Sequence, residues 1–224
     1  MKIILLPGLD GTGLLFKFLL KQLPQNDHFS ILPLIQKTVD YQTQIQYLEK
    51  AIGNTKVILV AESYSGYIGY KLACRENIDI KHIIFAASFL TPPSILIKSI
   101  NILPFDLIKK QLLPFWTLNH FLFGNIGGRE LEKIFYTAIN NVSNEILIHR
   151  LKNIAELKPP TTILKIPCTY IKAKSDYLVS NRSIKIFEKI CSNLTIKPVK
   201  GGHFILQSNP KECLEIINLV GFTN

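Results

Sequence analysis

The sequence predicts an α/β fold, a doubly wound and mostly parallel sheet with a helical cap inserted into it. The first observation behind this is rhythm: β-branched runs a few residues long alternate with longer amphipathic stretches, and parallel neighbours need crossover helices of that kind. The second is an interruption. From about Thr91 to Pro167 only helix-like pieces occur, punctuated by Pro92-Pro93, Pro104, Pro114, Gly127-Gly128 and Pro159-Pro160, and a structureless loop of that length is uncommon in a compact domain. The third is composition: the 224 residues are 47% apolar and 19% charged, against about a quarter charged in an average soluble protein. Such a chain has material for a large core, and global disorder is excluded.

Taken in order, the strands are KIILL (2–6), FSILP (29–33), KVILVA (56–61), KHIIFA (81–86), CTYIKA (168–173) and LTIKPV (194–199). Each is a short apolar, β-branched run of the sort a sheet buries on both faces. Helices are expected in the gaps, near 13–23, 41–52, 64–76, 180–191 and 209–220. The domain division that follows is a core of residues 1–90 and 168–224 around a cap of residues 91–167.

A membrane span is not expected, because the most apolar region, Ile100 to Phe123, is broken by Pro104, Asp106, Lys109, Lys110 and Pro114 and a span needs about 20 apolar residues. The apolar run after Met1 is too short for a signal-peptide core, so the cytoplasm is the expected location. Cys74, Cys168, Cys191 and Cys213 form no C-x-x-C pair and read as reduced, mostly buried thiols rather than metal ligands or a disulfide framework. Twenty-six basic against sixteen acidic residues leave a net charge of +10, which favours an anionic partner such as nucleic acid, an acidic carrier protein, coenzyme phosphates or a membrane surface. A merely basic background is the plainer alternative, since no dense basic block occurs. The densest patch runs from Lys172 to Lys200, and further basic residues are scattered through the cap, among them Lys98, Lys109, Lys110, Arg129, Lys133, Arg150, Lys152 and Lys158.

The segment richest in chemistry is Val57-Ile58-Leu59-Val60-Ala61-Glu62-Ser63-Tyr64-Ser65-Gly66. A serine on a sharp strand-to-helix turn needs small residues two before and two after it, because strand and helix backbones pass close together there. Ala61 and Ser65 meet that demand in place of the two glycines of the stricter pattern. The alternative is an ordinary helix-capping serine. Serine is a weak nucleophile without a base held by a third group. Asp176, just after the strand 168–173, and His203, after the last strand in Lys200-Gly201-Gly202-His203-Phe204, supply both in the chain order Ser, Asp, His. The remaining histidines, His28, His82, His120 and His149, lie beside no nucleophile signal and read as surface or core groups. Cys74 inside a helix reads as a structural thiol, and Asp176 could alternatively cap a turn.

The first strand runs into Pro7-Gly8-Leu9-Asp10-Gly11-Thr12-Gly13. Its glycines match neither G-x-x-x-x-G-K-[ST] nor G-x-G-x-x-G, which disfavours a nucleotide site. Next to a reactive serine, such a loop supplies one oxyanion donor and the residue after the serine the other. That nominates the main-chain N–H groups of Leu9 and Tyr64. Asp10 and Thr12 read as turn and capping residues.

On the segments LLPGLDGTG, VILVAESYSG, IIFAASFLTPP, AKSDYLVS and GGHFILQSNP, the chain resembles the α/β-hydrolase superfamily. It departs from it in lacking the first two strands and the elbow glycines. The Pro-Gly loop is similar to esterase and acyltransferase branches, and the layout to carboxylesterases that include the pimeloyl-carrier-protein methyl ester esterases. The resemblance implies a serine hydrolase of carboxylic esters or thioesters with Ser63 as nucleophile, His203 as base, Asp176 as orienting acid and Leu9 and Tyr64 as oxyanion donors. No metal or organic cofactor is implied. The partners it implies are a small acyl ester, or an acyl group on acyl carrier protein or coenzyme A. Acyl transfer by the same groups, and a non-catalytic binding module on the same fold, remain as alternatives. Phe105, Leu112, Leu113, Phe115, Trp116, Leu118, Phe121, Leu122 and Phe123 of the cap are candidates either for an apolar acyl pocket or for packing of cap on core.

Overall fold

The structure, a computed structural model, describes residues 1–23, 28–37, 40–93 and 105–222. Strands β1 (Lys2–Leu6), β2 (Phe29–Ile31), β3 (Val57–Glu62), β4 (Ile80–Ala86), β5 (Cys168–Ala173) and β6 (Leu194–Val199) form one sheet in the order β2-β1-β3-β4-β5-β6. Every pairing is parallel. The chain steps outward from β1 to β2 and then crosses back to β3, so the direction of winding reverses between β1 and β3. A crevice opens at the carboxyl ends of strands at such a point, and both the Pro7 loop and Ser63 leave the sheet there.

Alternation along the strands divides the core into two. Ile3, Leu5, Ile58, Val60 and Ile84 pack against Phe16 and Leu19 of α1 (Phe16–Leu20) and against Cys213, Leu214 and Ile217 of α10 (Pro210–Phe222). Ile4, Leu6, Leu59, Ala61, Ile83 and Phe85 face the other way. They meet Ile45 and Leu48 of α2 (Tyr41–Ile52), Ile68 and Leu72 of α3 (Ser65–Ala73), and Ile184 and Phe187 of α8 (Asn181–Ile190). The helix expected over 13–23 is shorter because Gly13 sits at φ +74°, outside helical space, and residues 21–23 continue as turns. The last expected helix is preceded by a separate turn of helix, α9 (Ile205–Ser208), which Asn209 at φ −137° ends.

Between β4 and β5 the described residues form α4 (Phe105–Lys109), α5 (Phe115–Leu118), a π-helical turn (Asn119–Phe123), α6 (Arg129–Asn140) and α7 (Asn144–Ala155). Lys98 and Pro104 lie outside the described residues. The π-helical turn stops at Gly124, at φ +64°, where the backbone presses on the loop before α9. A Cβ on Gly202 would lie 2.4 Å from the Gly124 nitrogen and 2.6 Å from the Leu122 carbonyl oxygen, so both sides of this seam need glycine. Phe204 N–H donates across it to the Leu122 carbonyl at 2.9 Å. Among the described residues no helix is long and apolar enough to cross a membrane.

Candidate active site

The chain leaves β3 at Glu62 and enters α3 through Ser63, which is held at φ +47°. A non-glycine residue there is strained, and the strain persists only when its surroundings fix it. They do so closely. Ser63 N–H donates to the Ala86 carbonyl at 3.0 Å, and α3 lies against the sheet with no spare room. A Cβ on Gly66 would come within 2.6 Å of Ser88 Cβ, and one on Gly69 within 2.8 Å of Ala61 Cβ. The two positions where the stricter motif has glycine are accommodated differently. Ala61 fits under Gly69, and the Ser65 hydroxyl donates to the Pro7 carbonyl, tying the loop after β1 to the turn.

Ser63, Asp176 and His203 come together from the ends of three strands. Ser63 Oγ lies 2.8 Å from His203 Nε2, and His203 Nδ1 lies 3.0 Å from Asp176 Oδ2. The other carboxylate oxygen accepts from the N–H groups of Leu178, at 2.8 Å, and Val179, at 2.9 Å, so Asp176 is fixed in orientation. With Nδ1–H donating to Asp176, Nε2 is the acceptor for the Ser63 hydroxyl. Burial by itself lowers the pKa of His203, but the charge and hydrogen bond of Asp176, with Glu62 farther off, outweigh it and hold the imidazole above its ordinary value. Burial by itself raises the pKa of Asp176, but His203 and the two backbone N–H groups hold the carboxyl below its usual range. Ser63 keeps 8% exposure and His203 5%. A hydroxyl so placed can lose its proton to the imidazole as it adds to a carbonyl carbon.

The loop after β1 passes beside Ser63: a Cβ on Gly8 would stand 3.6 Å from Ser63 Cβ. Asp10 takes the turn role expected of it, accepting at 2.9 Å from Thr12 N–H and also from the Thr12 hydroxyl. The N–H groups of Leu9 and Tyr64 make no hydrogen bond among the described residues.

The apolar side chains of residues 105–123 divide. Phe105, Leu118 and Phe123 are buried, whereas Leu112, Trp116 and Phe121 are exposed. Phe123 packs 5.2 Å from the ring of Phe204, the neighbour of His203. His82 lies in β4 and bonds Thr169 at 2.8 Å, away from Ser63. Cys168, Cys191 and Cys213 are buried and Cys74 partly so, and all are free. A cavity of about 340 Å³ lies beside Asp176, between the end of β5 and the start of α8, but neither Ser63 nor His203 lines it.

No protein-family model matches the chain, and no curated protein matches it. Solved structures do. An esterase from Exiguobacterium antarcticum superposes with a TM-score of 0.78 at 14% identity, over 98% of this chain and 91% of that one. A lipase-esterase related protein from Clostridium acetobutylicum gives 0.74 at 18% identity, over 97% and 93%. A thioesterase of the prodiginine biosynthetic pathway in Streptomyces coelicolor gives 0.69 at 14% identity, over 97% and 84%. The chain has the α/β-hydrolase fold.

Within this hydrolase fold two polar residues stand beside the site that the sequence did not nominate for it. Glu62, next to Ser63, is 1% exposed. One carboxyl oxygen accepts from Gln207 at 3.4 Å, and the other is buried with no hydrogen-bond partner among the described residues. Burial, with Asp10 nearby, pushes the carboxyl up to about 8. Arg150, grouped in the sequence with cations expected to face a partner, is instead fully buried and reaches the loop after β1. As a solvent-facing charge it is therefore corrected. The signal was present in α7: Leu147, Leu151 and Ile154 mark the buried stripe, and position 150 falls on it at i+3 from the first and i−4 from the last.

Proposed function

We propose that the protein hydrolyses carboxylic esters or thioesters through an acyl-enzyme on Ser63. The observation that carries this reading is the continuous pair of hydrogen bonds from Ser63 to His203 and from His203 to Asp176, at 2.8 and 3.0 Å. Ser63 Oγ adds to the acyl carbon while His203 Nε2 takes its proton. The oxyanion is met by the Leu9 and Tyr64 N–H groups. The tetrahedral adduct then collapses, and the imidazolium returns the proton to the departing alcohol or thiol. Water, deprotonated by the same imidazole, releases the acid in the second half. Asp176 holds the imidazole in the required tautomer throughout.

The helices of residues 91–167 serve in this reading as a cap over a core of residues 1–90 and 168–224. The net charge of +10 favours an acyl group presented on an anionic carrier, either acyl carrier protein, as in a pimeloyl methyl ester, or coenzyme A. Free thiols suit the reducing cytoplasm.

The test is labelling by a fluorophosphonate probe together with turnover of a p-nitrophenyl acyl ester. Both are expected in the wild type and neither in Ser63→Ala. A wild type that is neither labelled nor active would leave the non-catalytic binding module. Ester product formed in the presence of an added alcohol would reassign the protein as an acyltransferase.

A further inference from the structure

We propose that Arg150 is a positioning residue for the oxyanion donors, so that a helix between β4 and β5 builds part of the site it covers. The inference rests on the reading of Ser63 as nucleophile.

Arg150 Nη1 donates to the carbonyls of Leu9 at 2.8 Å and Asp10 at 2.9 Å. Nη2 donates to the Ile35 carbonyl at 3.2 Å and to Gln36 Oε1 at 3.4 Å. The guanidinium carbon stands 5.8 Å from the ring centroid of Tyr64. One side chain therefore touches both residues whose N–H groups would meet the oxyanion. Among the described residues Arg150 forms no ion pair with a carboxylate, so its charge is directed at main-chain carbonyls. Gly11 is shaped to admit it: it sits at φ +66°, and a Cβ there would lie 2.5 Å from Nη1.

Peptide planarity turns these contacts into an orientation for Leu9 N–H. The Pro7–Gly8 unit is held through its carbonyl, which accepts from the Ser65 hydroxyl. The Leu9–Asp10 unit is held by Arg150 through the Leu9 carbonyl. Between them lies the Gly8–Leu9 unit, whose carbonyl accepts from Gly11 N–H at 3.1 Å. The Leu9 N–H on the opposite edge of that plane makes no hydrogen bond among the described residues and is open to a ligand. Without Arg150 the unit is restrained on one side only, and a misplaced donor weakens the transition state more than the ground state.

The test compares Arg150→Met and Arg150→Lys with the wild type in kcat, KM and inhibition by a trifluoromethyl ketone, which forms a tetrahedral adduct on serine. Arg150→Met is expected to lose about ten- to a hundredfold in kcat with KM changed less than about threefold, since losing a donor outright costs about a hundredfold or more. Its inhibition constant for the ketone should rise by the same factor as kcat/KM falls. Arg150→Lys, which keeps the charge but not the fork, should recover part of both. If Arg150→Met does not fold, Gln36→Met, which removes one partner of the guanidinium from a partly exposed position, should show a smaller loss with the same pattern. Unchanged kcat/KM in a folded Arg150 variant, or a fall in kcat with ketone affinity intact, overturns the proposal. A wild type that Ser63→Ala does not inactivate instead overturns the reading of the function.

Discussion

His203 Nδ1 and Asp176 Oδ2 lie 3.0 Å apart with both side chains almost closed to solvent, at 6% and 7% exposure. The pair favours the imidazolium, so the base is harder to deprotonate than a free histidine. The proposed mechanism needs the neutral imidazole, so activity should fall as the pH drops through a value above 6.5, the ordinary value for histidine. Asp176→Asn should move this acid limb downward and lower turnover, with the protein still labelled slowly at Ser63. A kcat/KM profile from pH 5 to 9 checks both, and a flat one would count against His203 as the base. Stability follows the same signs. The His203 contribution is full below about pH 6.5 and is lost as pH rises through its raised value, while that of Asp176 is lost as pH falls below the usual carboxylate range.

Ser63→Ala and His203→Ala should each remove about a thousandfold or more of turnover, because the members of such a chain act as a unit. Circular dichroism and melting temperature should stay near wild type. A variant retaining most activity on p-nitrophenyl esters would require another nucleophile or base.

Glu62 carries a carboxyl raised from 4.5 to about 8 by burial. A group raised on folding loses stability as pH rises, so folding should weaken between about pH 4.5 and 8 at up to about 1.4 kcal/mol per pH unit. Glu62→Gln keeps the shape, has no proton to lose and should remove that slope. It should melt higher than wild type at pH 8, with the difference shrinking toward pH 5. Parallel melting curves for the two proteins across this range would show that Glu62 is ionised in the folded state.

If the acyl group arrives on an anionic carrier, surface cations steer the encounter, and salt near 1 M shrinks the Debye length to about 3 Å and screens them. The kcat/KM for a carrier-linked ester should fall along a salt series while that for a small neutral ester barely changes. An equal response of both would leave the charge as background. Arg150 drops out of the steering set because it is buried, which leaves exposed groups such as Lys110, Arg129 and Lys158.

The sheet was legible because each strand is a short β-branched run between amphipathic segments, and the six runs end within a residue or two of the observed strands. Ser63, Asp176 and His203 were legible for a related reason: each follows the carboxyl end of such a run, where a parallel sheet gathers its loops. The remainder was hidden by residue type. An arginine in a helix reads as solvated until the stripe beneath it is traced, and a glutamate at the end of a buried strand reads as a spacer in the serine motif. The sequence also could not show which aromatics between β4 and β5 are covered, since Phe123 and Trp116 look alike in a run of apolar residues and end at 0% and 72% exposure.

The contact of Gly124 with Gly202 leaves no space for a side chain on either strand of backbone, and Phe204 is hydrogen-bonded across it to Leu122. This makes the seam an interlock. A swing of the π-helical turn away from the core would have to break the Phe204–Leu122 hydrogen bond next to His203, so a gate hinged here would disturb the proposed base each time it opened. In the proposed mechanism, routes to the serine that leave this joint shut spare the base, and they lie in the rest of the helical segment.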